Sequence, residues 1–236
     1  MDGFYGQFLK IDLTHKTFGI EPIAEEILQM VLGGKGLASY LLYHMNTPGV
    51  DPLGENNCLI FATGPVTGSS LWGSCRYGVF TKSPQTQFYS ESYAGGRVPE
   101  AIDSTGYDAV VIQGQSDSPV VVSIHPEGAE FHDAGDIWGL DTYRTEDEVV
   151  QRFGHQADRK QRVGAVVIGP AGENLVRFSV IENDYWRSAG RTGVGTVMGA
   201  KRVKALVFTG NRKRRLFDRE GVKSFARKLA SGAKDN

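Results

Sequence analysis

Between residues 4 and 23, "FYGQFLKIDLTHKTFGIEPI", apolar and polar side chains alternate on either side of a polar Thr-His-Lys turn, the period-two signature of a β-hairpin. The period then lengthens. "AEEILQMVLGGKGLASYLLYHM" (24–45) carries apolar residues at helical spacing before and after Gly33, Gly34 and Gly36, and predicts two helices joined at a glycine hinge. Runs rich in β-branched and aromatic residues that stop at turn residues predict strands at 58–64, 77–83, 107–114, 119–125, 163–169, 174–180 and 204–210. Helical spacing returns at 98–104, 141–153 and 219–231. The mixture predicts an α+β fold.

The order of these elements repeats. "IFATGPVTG" (60–68), a strand ending "FTKSP", the loop "SYAGGR" (92–97), a short helix and "YDAVVIQG" make one series. "VVIGPAG" (166–172), the predicted strand "VRFSV", the loop "RSAGR" (187–191), a short helix and "VKALVFTG" make the other. Each series has a Gly-Pro turn before a strand and an Ala-Gly loop before a helix that returns into a strand. The pattern predicts an internal duplication with halves at about 1–114 and 115–210, and makes the loops 92–97 and 187–191 equivalent.

Composition narrows the class without changing that picture. At 236 residues, 40% hydrophobic and 22% charged, the chain can bury a core as one or two domains. Its formal net charge of −1 argues against a nucleic-acid partner, which would demand clustered basic charge. No apolar run approaches the roughly 18 residues of a membrane span, and "MDGFYGQFLKIDLTH" lacks a secretory signal pattern, so a soluble, cytoplasmic location is expected. The two cysteines, Cys58 and Cys75, are too far apart for a CxxC pair and are expected as buried, reduced thiols. The glycines are scattered and read as turns and points of close approach.

One stretch concentrates candidate chemistry. "RSAGRTGVGTVMGAK" (187–201) interleaves arginines with glycines, which expose backbone N–H groups while guanidinium supplies a bidentate match for phosphate. It is not a P-loop, because Gly195 and Gly199 enclose three residues rather than four and Arg202 stands where a magnesium-binding hydroxyl belongs. Nor is it a dinucleotide fingerprint, since it follows the polar "IENDYWRSAGR" and has an extra residue. Tight turns alone do not account for Arg187 and Arg191 beside the glycine, or for Arg76 and Arg97 in the first half. A valine at Gly190 is expected to block close approach and to resist a positive φ. His15, His44, His125, His132 and His155 lack metal-site spacing, and "GSSLWGS" is no nucleophile elbow. No nucleophile, base and oxyanion hole assemble from the sequence.

The series "GQFLKIDLTHKTFGIEPI", "VLGGKGLASYLLYHM", "VDPLGENNCLIFATGPVTGS", "CRYGVFTKSPQT", "IGPAGENLVRFSVIEND" and "RSAGRTGVGTVMGAKRVKAL" resembles, in order over residues 3 to 210, the N-terminal domain of the tungsten-containing aldehyde ferredoxin oxidoreductase family. The resemblance implies two similar mixed β-sheet halves with short helices, forming a base for a tungsten, or molybdenum, bis-pyranopterin cofactor. Carried across by motif, Arg76 matches a pterin-contacting arginine, and Tyr93, Ala94, Gly95 and Gly96 match a loop that reads Asn-Ser-Gly-Gly in the family. Arg187, Ser188, Ala189, Gly190 and Arg191 match its Arg-Ala-Ala-Gly-Arg. The backbone carbonyls of Tyr93 and Ser188 correspond to ligands of a magnesium ion that bridges the pterin phosphates, and no catalytic residue is expected in this segment.

The resemblance further implies aldehyde oxidation to carboxylic acids with ferredoxin as acceptor. The iron-sulfur cluster of the family is expected from downstream domains, because two cysteines cannot ligate a cubane. Residues 1–210 are expected as the cofactor-binding domain and 211–236 as the start of a connection to those absent domains, so the chain is expected to be inactive alone and to self-associate through its uncovered face. The alternative is a non-catalytic binding or assembly module, or a split subunit, derived from the family.

Overall fold

The computed structural model describes residues 1–154 and 161–233. The N-terminal hairpin is formed by β1 (Gln7–Asp12) and β2 (Thr17–Pro22), followed by α1 (Glu25–Val31) and α2 (Gly34–Met45). Next come β3 (Leu59–Thr63), β4 (Tyr77–Lys82), β5 (Tyr89–Ala94), α3 (Val98–Ser104) and β6 (Ala109–Gln113). The chain continues through β7 (Val120–His125), β8 (Gly128–Asp133), α4 (Thr142–Gly154), β9 (Arg162–Val167) and α5 (Pro170–Glu173). Then follow β10 (Ile181–Asn183), β11 (Arg187–Ala189), α6 (Val194–Ala200), β12 (Val203–Gly210) and α7 (Arg219–Gly232).

The strands make two six-stranded mixed sheets with one topology. The first runs β2-β1-β6-β3-β4-β5 and the second, taken from the matching edge, β8-β7-β12-β9-β10-β11. In each, the last strand lies parallel to the first, β6 to β1 and β12 to β7, and the other pairs are antiparallel. The duplication predicted from the turn-strand-loop-helix order is therefore a duplication of whole sheets.

Burial on both faces explains the unbroken apolar strands. Leu59 and Phe61 of β3, Val110 and Ile112 of β6, and Leu206 and Phe208 of β12 point into a shared core between the sheets. The intervening Ile60, Ala62, Ala109 and Val111 face α1 and α2. On the far side, Ala165, Val167, Ala205 and Val207 face α4. The short helices bridge the halves: α3 of the first half packs on β9 and β12 of the second, and α6 of the second packs on α5 and β12 and also reaches β3 and β4 of the first. Gly164 in β9 is needed there, since a Cβ would lie 2.9 Å from Ala101 and 3.1 Å from Val98 of α3.

Residues 174–180, predicted as a strand, are a turn-rich loop, and the fourth strand of the second sheet is β10 instead. Its backbone groups bond to the turn and to α6 rather than to a neighbouring strand. Leu175 takes φ +57°, Ser179 N–H donates to Val176 O at 2.9 Å, and Gly195 N–H donates to Ser179 O at 3.1 Å. His155 lies outside the described residues. Cys58 is buried as expected, whereas Cys75 is only partly buried; both are free thiols.

Candidate anion-binding site

The edge strands β5 and β11 bring the two equivalent loops together. In β5 Tyr93 is exposed and Ala94 buried; in β11 Ser188 is exposed and Ala189 buried. Ala94 pairs with Tyr77 and Ala189 with Ile181, so the two Ala-Gly loops leave their sheets at the same register. Across the gap, the Arg191 N–H donates to Ser92 Oγ at 2.9 Å, and Ser83 Oγ donates to Thr192 O at 2.7 Å.

Asn183 ties this junction. Its fully buried side chain accepts from the Tyr77 hydroxyl at 2.9 Å and donates to Gly95 O and Asp184 Oδ2, each at 2.9 Å. Asp184 Oδ2 also accepts the Arg97 N–H at 2.6 Å. The three-residue β10–β11 turn holds Asp184 and Tyr185 at φ +47° and +66°, costly for residues with a Cβ. Glu146 of α4 secures it by accepting both N–H groups at 2.9 Å. Burial pushes the Glu146 carboxyl above its ordinary range, while those two bonds oppose the shift.

Arg76, Arg187 and Arg191 are exposed, and among the described residues none makes an ion pair, although the carboxylates of Glu146, Glu182 and Asp184 lie close by. Arg76 lies along Gly95, where a Cβ would come 3.5 Å from its Cδ. Arg187 sits opposite Asn183 in the hairpin register, the same Asn183 that holds Gly95 O. The N–H groups of Gly95, Gly96 and Gly190 donate to no acceptor among the described residues. Unpaired guanidinium with free backbone donors is the chemistry of anion binding.

Gly190 and Gly96 differ. Gly190 has open surroundings, its nearest neighbour Val180 Cγ1 standing 3.5 Å from a Cβ position, and its φ is not in the left-handed region. The expected positive φ falls instead on Gly96, at +100°, and on Gly193, at +77°. At Gly96 a Cβ would lie 2.0 Å from Asp184 Oδ2, so this glycine admits a carboxylate of the other half.

Tyr93 points away from the junction. Its ring meets Phe80 edge-on, with centroids 5.9 Å apart, and its hydroxyl donates to Glu91 Oε2 at 3.2 Å, Glu91 being paired with Lys35 at 2.7 Å. Burial and then Glu91 push the phenol up to about 12. Among the described residues, no group of three or more His, Cys, Asp or Glu side chains is placed to hold a metal, and no helix is long and apolar enough to cross a membrane. Sequence reasoning missed Asn183, Asp184 and Glu146. The signal was weak, a polar tripeptide in a short hairpin.

The sequence model of the aldehyde ferredoxin oxidoreductase N-terminal domain matches residues 8–210. The tungsten-containing aldehyde ferredoxin oxidoreductase of Thermococcus kodakarensis is 40% identical over 220 residues, covering 93% of this chain and 36% of the relative. The aliphatic sulfonate oxidoreductase, WOR-like subunit, of Pyrococcus furiosus is 30% identical over 240 residues, 97% of this chain and 38% of the relative. Among solved structures, a chain of the active site complex BamBC of benzoyl coenzyme A reductase, in complex with 1,5-dienoyl-CoA, matches with a TM-score of 0.92 at 29% identity. That match covers 99% of this chain and 35% of the other. The chain thus spans about a third of the length of the proteins it matches.

Proposed function

The chain belongs to the family defined by the N-terminal domain of aldehyde ferredoxin oxidoreductase, and from that premise we propose that it forms the cofactor-holding part of a tungsten, or molybdenum, bis-pyranopterin oxidoreductase. The observation that carries the reading is the junction of β5 and β11, where Arg76, Arg187 and Arg191 lack acidic partners and the N–H groups of Gly95, Gly96 and Gly190 lack protein acceptors. These donors fit a pair of phosphates. The backbone carbonyls of Tyr93 and Ser188, at equivalent positions before a buried alanine, are the proposed magnesium ligands. Because the Tyr93 side chain is engaged by Phe80 and Glu91, replacing a smaller residue there leaves the loop backbone free for that role.

When bound, the metal-pterin group supplies the two-electron chemistry; this chain binds and orients its phosphates. Residues 1–210 are the proposed cofactor domain, with 211–236 leading on to further domains. Aldehyde as substrate and ferredoxin as acceptor follow the 40% identical relative, and both require the other two thirds of such a protein, as does an iron-sulfur cluster. A second reading, a binding or assembly module without redox chemistry, rests on the Asp184 carboxylate beside Gly96, which puts negative charge at the edge of the cradle.

Metal analysis decides between them. The purified protein is expected to hold tungsten or molybdenum, and Arg76→Ala and Arg191→Ala are each expected to weaken retention about tenfold to a hundredfold with an unchanged melting curve, because each removes charge-assisted bonds and no core packing. Full occupancy in both variants, or loss only through unfolding, overturns the cradle; a metal-free wild type favours the module.

A further inference from the structure

A cavity of about 470 Å³ opens elsewhere on the molecule, between residues 211–216, the start of α7, the end of α3 and the loop 67–70. After β12 the second half sends residues 211–216 back across the first half, and this strap is pinned at several points. Arg212 N–H donates to Ser104 O at 2.9 Å, Gly3 N–H donates to Arg215 O at 2.6 Å, and Arg214 Nη1 donates to Gly3 O at 2.9 Å. The buried Arg214 guanidinium also pairs with Asp103 and Asp108 and lies 4.5 Å from the centre of the Tyr5 ring. The basic run "NRKRR" is thereby fastened to the first half.

The charges lining this cavity divide into two sets. Arg214 is matched by Asp103 and Asp108, Arg215 by Asp2, Arg162 by Glu100 and Lys223 by Glu220. Arg212, Lys213 and Arg219 line the same cavity and, among the described residues, make no ion pair. The end of α7 does not supply the attraction, since Asp218 already accepts the Gly221 N–H at 2.7 Å. Three uncompensated cations therefore surround one hollow, joined by the hydroxyls of Ser69 and Ser70.

We propose that this cavity is a second anion site, distinct from the β5–β11 junction, and that it takes a small di- or polyphosphate. Its volume suits a small ligand. No aromatic ring lines it, so nothing offers a nucleobase a stacking surface. Several cations spaced around a concave wall reward an anion with several charges over a single carboxylate. None of the residues assigned to the cofactor cradle takes part.

The test is calorimetric titration of the protein with pyrophosphate at low and at physiological ionic strength. Saturable binding is expected, weakening with salt, and about a hundredfold weaker in the triple variant Arg212→Ala, Lys213→Ala, Arg219→Ala. All three side chains are exposed, so the melting curve is expected to hold. Because the cradle also offers donors to phosphate, the titration is repeated in Arg76→Ala, Arg191→Ala protein, where saturable binding at this cavity is expected to persist with the same sensitivity to the triple substitution. The proposal is overturned by an absence of saturable binding, as when the cavity instead receives an acidic protein segment, by triple-variant affinity equal to wild type, or by loss of all saturable binding in the Arg76→Ala, Arg191→Ala protein.

Discussion

Asn183 shows how much one buried amide governs at this junction. It serves three partners, two of them in the other half, and no water reaches it. Asn183→Leu strands the Tyr77 hydroxyl and the Gly95 carbonyl without partners, and two such groups cost roughly 2–5 kcal/mol together. Denaturant unfolding is expected to show that loss; a shift below about 0.5 kcal/mol would mean both groups find other partners. Lys201 makes a pH-dependent contribution. Its Nζ donates to Glu55 O at 3.1 Å and Gly114 O at 2.9 Å, and burial, opposed by Cys58, Glu55 and Asp12, lowers the ammonium from 10.5 to about 8. Between those values the unfolded chain binds a proton that the folded chain does not, so the stability supplied by this group rises with pH from about 8 to about 10.5. Relative to Lys201→Met, wild type is expected to gain up to about 1.4 kcal/mol per pH unit across that window. Parallel stability curves for the two proteins would refute it. The arginines of the cradle were legible because guanidinium beside glycine is an unusual pairing with an evident use. Asn183 was not, because asparagine is common in turns and only the fold reveals which one is enclosed.

At the scale of elements, legibility followed the side chains that face inward. Strands β3, β6, β9 and β12 bury both faces and announce themselves as apolar runs. β5, "YSESYA", buries Ser90, Ser92 and Ala94 while exposing Tyr89 and Tyr93, so its hydrophobicity is inverted and it read as loop. Small inward residues are what the meeting of two sheet edges requires, and so the strands that build the candidate site were the hardest to see. The reverse error at 174–180 has another origin: Leu175 and Phe178 are apolar but exposed, and the backbone there turns on itself and bonds to α6 instead of joining a sheet. The joint between α1 and α2 was predicted from its glycines, yet the strained residue is Leu32, at φ +60° and ψ −122°, exposed and ending α1. That conformation is one glycine adopts freely and leucine does not. Leu32→Gly is expected to stabilise the protein by about 1 kcal/mol after the entropy cost of glycine, read as a rise of a few degrees in melting temperature. A fall would show that the Leu32 side chain supplies more contact than its exposure suggests.

The whole molecule is a duplication that does not behave as two domains. Its principal core is drawn from both sheets, with Phe61 of β3 against Phe208 of β12 at 6.3 Å between ring centres. The helices α3 and α6 both reach strands of the other half across that core, Lys201 of the second half bonds to carbonyls of the first, and Arg214 returns after β12 to Asp103 and Asp108. The symmetry reaches the strands and the Ala-Gly loops but not the arginines. By register Arg76, preceding Tyr77, corresponds to Val180, preceding Ile181, while Arg187 corresponds to the buried Ser92, so the two edges contribute differently to one site. A site shared in this way needs both halves held at a fixed separation, which the bridging helices provide. Unfolding of the described body is therefore expected to be one cooperative transition, since opening either sheet removes the cover of the other. Amides of β3 and β9 are expected to exchange with the same opening free energy, within about 1 kcal/mol, and Gly164→Val, which drives a side chain into α3, is expected to lower protection in β3 as much as in β9. Two resolved calorimetric transitions, or β9 losing protection while β3 keeps it, would show instead that the halves stand independently and that the cradle between them can open without unfolding.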